Sequence, residues 1–268
     1  MEIKTILKHL RAARRGVVLG AVIVVFVVSY VVNRSHRRDA TSKARWLQRA
    51  CRQGLRALEV EVESRGEPVP GAVIVANHLS YLDILVLAAL TPVVFVAKKE
   101  VRGWPIFGWF AAKAGTRFID RSRRGDVMRI SAEMGPVLEA GLTMVIFLEG
   151  TTTKGADVLP FKSSLLEPAV SFGWRVLPAA MNYAVPAGRS VEAEVCWWGE
   201  MSLIPHVWNL MSLPWVRARV GWGESSIAEG ERKALAEALR AQVKAIKRTH
   251  RFERMGDAEN AVERLVVR

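Results

Sequence analysis

The chain has little cysteine: two in 268 residues, Cys51 and Cys196, far apart in sequence. They supply neither a disulfide framework nor the close spacing of a structural metal site, and they suit a reducing, cytosolic setting. Acidic residues are also short, with 26 Asp and Glu against 39 Lys and Arg and a formal net charge of +13. Nucleic acid is one sink for such an excess, yet no nucleic-acid motif and no basic–aromatic repeat accompanies it. There is no Gly-x-Ser-x-Gly elbow, which disfavours a secreted hydrolase of that type. Internal repeats are absent as well.

Apolar residues, by contrast, are plentiful. They make up 50% of the chain, and mean hydropathy is +0.14 despite 24% charged residues. Part of the excess lies in residues 16–32, seventeen positions without a charge. As a helix that stretch spans about 25 Å, the short end of a transmembrane segment. The basic residues Arg34, Arg37 and Arg38 follow it where a signal peptide would carry a small-residue cleavage site. An interfacial helix needs a polar face, which residues 22–28 lack. The stretch therefore reads as a single membrane anchor. Residues 1–49 carry a net +9, which suits an anionic lipid surface.

Residues 41–57 read as a basic amphipathic helix with Leu47, Ala50, Cys51 and Leu55 on one side, lying either along the membrane or on the folded domain. Residues 58–63 alternate like an edge strand. Short apolar runs at 73–76, 93–97, 144–148 and 176–180 read as buried strands, and 191–197 and 216–222 as half-exposed ones. Between them, 82–90, 127–138 and 163–172 have helical character, the second with a possible kink at Gly135-Pro136. The aromatic stretch 104–110 suits a core or a membrane interface equally. The pattern predicts an α/β fold: one α/β sandwich with a central, mostly parallel sheet, preceded by a transmembrane helix. Its expected divisions are a basic N-terminus and anchor over 1–40, the main domain over 41–225, and an amphipathic helix and tail over 226–268.

One spacing carries chemistry. The strand at 73–76 runs into Asn77-His78, and Asp83 follows five residues after the histidine. On one continuous helix the two side chains would diverge by about 140°. If Ser80 instead caps a helix that starts between them, Asp83 becomes its third residue and its side chain leans back towards His78. An ionised Asp83 would then fix the imidazole tautomer and leave the other ring nitrogen free to take a proton. The same Ser-x-x-Asp pattern is also an ordinary capping box.

Two further loops stand where strands end: the basic turn 117–124, and Glu149-Gly150-Thr151 with Thr152 and Thr153. Guanidinium groups and backbone N–H groups both suit phosphate, and α/β folds gather ligands at the carboxyl ends of strands. Residues 77–83 resemble the His-x-x-x-x-Asp signature of the glycerolipid acyltransferases. Residues 115–121, 147–151 and 176–180 resemble that family's later blocks in the same order, and Lys98 with 105–108 resembles the intervening segment. The resemblance covers about residues 55–205. It departs at Leu148, where proline is usual, and at Arg117, where a small or apolar residue is usual.

The resemblance implies transfer of an acyl group from acyl-CoA or acyl carrier protein to a lipid hydroxyl, with no metal and no cofactor beyond that co-substrate. His78 would be the base and Asp83 its orienting partner. Arg121, Gly150 and Thr151 would bind the acceptor's phosphate, Glu149 would position the acceptor, and Lys98 is a further binding candidate. The leading acceptor is 1-acyl-sn-glycerol-3-phosphate. Residues 197–208 also resemble bacterial members acting on other acceptors, including lyso-ornithine lipid; His206 there reads as structural. An inactive, membrane-anchored lipid- or acyl-carrier-binding protein is the alternative of another class. The expected partners are membrane lipids and the acyl donor, without nucleic acid. The expected location is the inner (cytoplasmic) membrane, single-pass, with the catalytic domain on the cytoplasmic side.

Overall fold

The computed structural model describes residues 2–120 and 124–252. Its strands are β1 (Val60–Arg65), β2 (Val73–Ala76), β3 (Val93–Lys98), β4 (Arg117–Ile119), β5 (Thr143–Ile146), β6 (Arg175–Ala184), β7 (Val216–Trp222) and β8 (Ser226–Ile227). Helices α1 (Glu2–Val32) and α2 (Ala40–Leu58) precede the sheet, and α3 (Leu82–Leu90) follows β2. Helices α4 (Phe107–Lys113), α5 (Arg124–Glu139) and α6 (Glu167–Phe172) lie between β3 and β6, and α7 (Val191–Glu194) and α8 (Leu203–Ser212) between β6 and β7. Helix α9 (Arg232–Thr249) closes the described chain.

The strands form one sheet in the order β1-β7-β6-β2-β5-β3-β4, with β8 beside β6. The five from β6 to β4 are mutually parallel, while β7 and β8 run antiparallel to β6 and β1 runs with β7. The sheet is thus mostly parallel, as the pattern predicts. Alternate residues of the central strands feed opposite layers: Ile74 and Ala76 join a core with α2, α3 and α8, and Val73 and Val75 join one with α5, α6 and α9. This burial on both faces explains why β2 and β5 read as unbroken apolar runs. Because β2, β5, β3 and β4 are parallel neighbours, the loops that follow them open at one edge of the sheet.

Helix α1 is longer than its apolar stretch. Residues 5–32 form a helix long and apolar enough to cross a membrane; its most apolar 18-residue window has a mean hydropathy of 2.4, and only 11% of that window is buried. Val24, Val25, Val28 and Val31 are exposed. The other side of α1 docks on the domain. Arg15, 1% exposed, donates to the carbonyls of Met211, Leu213 and Pro214 at the end of α8, and Arg11 donates to that of Ser212. Two cations thus cap carbonyls that α8 leaves open, with the charge sign its dipole favours. Further along, Tyr30 packs on Trp46 and Trp109, and Phe110 stacks on Trp46. Trp109 and Phe110 therefore serve packing rather than an exposed interface. Helix α2 likewise buries Leu47, Ala50, Cys51 and Leu55 against the domain.

The segment 191–197 is not a strand. Ser190 accepts the N–H of Ala193, and the N–H groups of Val195 and Cys196 both reach the Val191 carbonyl, winding α7. Over so few residues, alternation and helical period look alike, and the capping serine decides. The helical stretch at 163–172 divides into a 3-10 turn, Ser163–Leu165, and α6, whose Pro168 sits in the first turn where no N–H is needed. Helix α5 continues through Pro136. Strand β7 alternates as its pattern predicts, and Arg217 and Arg219 pair with Glu61 and Glu63 beside them on β1. Helix α9 packs on the core shared with α5 and α6 through Ala236 and Leu239, with Val243 beside it. The expected tail beyond residue 252 lies outside the described residues.

Candidate active site

The local fold at β2–α3 brings His78 and Asp83 together. His78 Nδ1 lies 2.8 Å from Asp83 Oδ2, and the Asp83 N–H donates to the Ser80 carbonyl. That same Oδ2 accepts the N–H groups of Leu79 at 2.6 Å and Ser80 at 3.0 Å. Asp83 therefore reaches back to the Ser80 N–H as well as to the imidazole, as half of a capping box. The helix starts at Leu82, one residue later than a Ser80 cap would set it, and Ser80 Oγ accepts the Leu82 N–H at 3.4 Å. Its carboxylate is fully buried, and its Oδ1 accepts the Tyr183 hydroxyl at 2.6 Å. The carboxylate accepts, so His78 carries its proton on Nδ1, and Nε2 is the nitrogen left to act as a base. The ring is held on its face too, stacked on Phe147 with centroids 3.9 Å apart and planes 9° apart. The His78 side chain remains 16% exposed, enough for a substrate to reach it.

The loop after β5 is tied to the same histidine through its backbone. Glu149, 2% exposed, accepts the His78 N–H on Oε1 at 2.7 Å and the Leu159 N–H on Oε2 at 2.8 Å. Burial raises its pKa above the ordinary value, against the opposing pull of those two hydrogen bonds. Both carboxylate oxygens are thus engaged within the protein, and Glu149 joins two loops. The His78 carbonyl in turn accepts the N–H of Thr153 at 3.0 Å. Gly150 takes φ +75°, where a side chain would be strained, and its N–H closes a turn onto the Phe147 carbonyl. Thr151 is exposed, and no protein partner engages its hydroxyl or N–H among the described residues.

Lys98 ends β3, exposed, two strands from β2 and so about 10 Å away along the sheet. Arg121 lies outside the described residues. Arg117 is drawn to Glu133 of α5, with Nε to Oε2 at 3.1 Å, so its charge is met within the protein. His206 is buried between the Tyr81 hydroxyl and the Cys196 carbonyl; its Nε2–H donates to the carbonyl, Nδ1 accepts from the tyrosine, and burial lowers its pKa. That is a structural histidine. Among the described residues, no group of three or more His, Cys, Asp and Glu side chains is placed to hold a metal ion.

Sequence reasoning gives no role to Phe147 or Tyr183, which complete the surroundings of the His78–Asp83 pair. Tyr183 left a signal: a hydroxyl inside the apolar run of β6 must find a partner when buried. Phe147 opens the block 147–151 that resembles the family's, but nothing in the sequence shows that its ring stacks on the imidazole.

Residues 57–182 match the model of the acyltransferase family. A lyso-ornithine lipid O-acyltransferase of Brucella abortus is 38% identical over 186 residues, 65% of this chain and 70% of that protein. The chain belongs to the acyltransferase family. A 1-acyl-sn-glycerol-3-phosphate acyltransferase of Neisseria meningitidis is 32% identical over 198 residues, covering 72% of this chain and 76% of that one. The fold of this acyltransferase is also that of PlsC from Thermotoga maritima, described as a 1-acyl-sn-glycerophosphate acyltransferase, at a TM-score of 0.65 over 94% of this chain and all of that one with 19% identity.

Proposed function

We propose that this acyltransferase moves a fatty acyl group from acyl-CoA or acyl carrier protein to the free hydroxyl of a lysolipid held in the membrane. The observation that carries the reading is the pair formed by His78 and the buried Asp83, with Nε2 left to the substrate. Nε2 takes the proton of the acceptor hydroxyl as its oxygen attacks the thioester carbonyl. The tetrahedral intermediate then collapses, the C–S bond breaks, and the departing thiolate takes that proton from the imidazolium. Base catalysis of this kind contributes about 10²–10⁴-fold. No cofactor beyond the acyl thioester enters the scheme.

Thr151, Lys98 and Arg121 are the proposed contacts to an acceptor phosphate. Gly150 supplies the turn that presents Thr151, and Glu149 holds that loop against His78 rather than touching the acceptor. The leading acceptor is 1-acyl-sn-glycerol-3-phosphate, which would yield phosphatidic acid. Lyso-ornithine lipid is the second reading, supported by the relative from Brucella abortus and by one from Pseudomonas aeruginosa at 39% identity. Purified protein in detergent, given a labelled acyl thioester and a panel of lysolipids, separates them. Acylation of lysophosphatidic acid that disappears in His78→Ala supports the first reading. Transfer to lyso-ornithine lipid alone discards that acceptor and keeps the mechanism. No transfer to any acceptor from either donor favours a binding protein instead.

The proposed location is the cytoplasmic membrane, with the exposed valine face of α1 in lipid and the α/β domain on the cytoplasmic side. The exposed valines and the arginines beyond residue 32 support it. Release of the protein from membranes by alkaline carbonate would refute the anchor.

A further inference from the structure

We propose that Tyr183 is a positioning residue of this reaction, its hydroxyl fixing the plane of the Asp83 carboxylate and, through it, the imidazole of His78. The inference rests on the reading of His78 as the base. Tyr183 lies near the end of β6, one residue beyond the stretch that matches the family. It is 7% exposed, and among the described residues Asp83 Oδ1 is the partner of its hydroxyl, at 2.6 Å.

The four donors to Asp83 divide unevenly between its two oxygens. Three of them, the His78 ring and the Leu79 and Ser80 N–H groups, meet at Oδ2. A carboxylate held at one oxygen can still swing about it, carrying its lone pairs out of line with Nδ1. The bond at Oδ1 removes that freedom. It also satisfies an oxygen for which no other donor exists among the described residues, and a buried acceptor left alone is costly. Strand neighbours make the placement rigid. Asn77, at the end of β2, accepts the N–H of Met181 at 2.7 Å and donates to its carbonyl at 3.2 Å, locking β6 to the loop that carries His78. Tyr183 follows two residues later on β6, on the side sheet alternation assigns it, within the core that holds α3.

Tyr183 moves no proton. Burial, and the neighbouring carboxylate, raise its pKa well above the ordinary value, so it remains a donor wherever the enzyme works.

Tyr183→Phe removes one oxygen and keeps the ring. The expected result is a kcat lowered about tenfold or more, a fraction of the full base contribution, with KM for acceptor and donor unchanged. A far-downfield imidazole proton in the NMR spectrum of histidine-labelled enzyme, assigned to His78 by its absence from His78→Ala, should shift or broaden in Tyr183→Phe. A double-mutant cycle guards against a general loss of folding: if Tyr183 acts through Asp83, Tyr183→Phe adds nothing to the loss caused by Asp83→Ala, which removes the group that the hydroxyl holds. An unchanged kcat, an unmoved resonance, or additive losses in the cycle would overturn the proposal. Turnover retained by His78→Ala would instead overturn the base itself, an outcome that Tyr183→Phe cannot imitate.

Discussion

Asp83→Asn separates the two duties of one carboxylate. The asparagine has one acceptor where aspartate has two, and the neighbours decide its orientation. The Leu79 and Ser80 N–H groups both point at the Oδ2 position, so an amide NH₂ there would face two donors. The amide oxygen must take that place, leaving the NH₂ beside the Tyr183 hydroxyl, which can rotate to accept. The helix cap therefore survives as neutral hydrogen bonds in place of charge-assisted ones, at a cost of about 1–2 kcal/mol in stability. What does not survive is the negative charge 2.8 Å from the ring proposed to become an imidazolium during transfer. The expected fall in kcat is roughly 10²–10⁴-fold, about 3–5 kcal/mol at 1.36 kcal/mol per decade. Initial rates under saturating acyl thioester and lysolipid give the first quantity, and urea unfolding in detergent gives the second. Equal losses in the two, on a kcal/mol scale, would reduce Asp83 to a cap and refute the reasoning.

Glu149→Gln loses an acceptor on one of its two oxygens, so either the His78 or the Leu159 N–H goes unpaired; turnover should fall and limited proteolysis should open the 150–158 loop. Intact loop resistance would contradict the bridging role. Arg15→Leu leaves the carbonyls at the end of α8 without their donors and should cost about 3 kcal/mol in thermal unfolding, and a Tm equal to wild type would show that α1 docks by other means. Burial lowers the pKa of His206 from 6.5, so between that value and the lower folded one the unfolded chain binds a proton that the native state does not. Stability is intact above that window and falls as pH drops through it. His206→Gln should flatten part of that slope in Tm against pH, while His36 and His250, lowered by burial and by neighbouring arginines, keep the rest. An unchanged slope would place the acid sensitivity elsewhere.

The parts of the site that were legible in the sequence are those set by local geometry. A five-residue spacing, a serine fit to cap and a strand before them allow Asp83 to meet His78, although the same pattern reads equally as an ordinary capping box, and the structure shows the contact. The buried strands were legible for a similar reason: burial on both faces leaves little choice but apolar residues. Tyr183 was not, since it stands 100 residues from Asp83 and meets it only because β6 is the sheet neighbour of β2. Strand order leaves no trace in the periodicity of either strand. Segment 191–197 misleads for the opposite reason, since its alternation is real but too short to outweigh one capped turn. Glu149 shows a third limit. The resemblance assigns it to positioning the acceptor, and the structure adds two backbone N–H groups on its carboxylate, a duty that no spacing in the sequence shows.

The capping and polarising roles of Asp83 depend on each other. A carboxylate with no exposed surface needs compensation, and an arginine or lysine beside it is the usual source. Here neutral donors do that work: two backbone N–H groups, a phenol and an imidazole N–H. None of these cancels the charge. They make burial tolerable while leaving the negative charge in the poorly screening interior for the one neighbour able to become positive, the His78 ring. A cation in the Tyr183 position would satisfy Asp83 equally well and spend that field before the substrate arrived. The backbone N–H groups at the start of α3 are thus the means by which an ionised carboxylate can be kept under the proposed base, and one residue serves both the helix start and the imidazole.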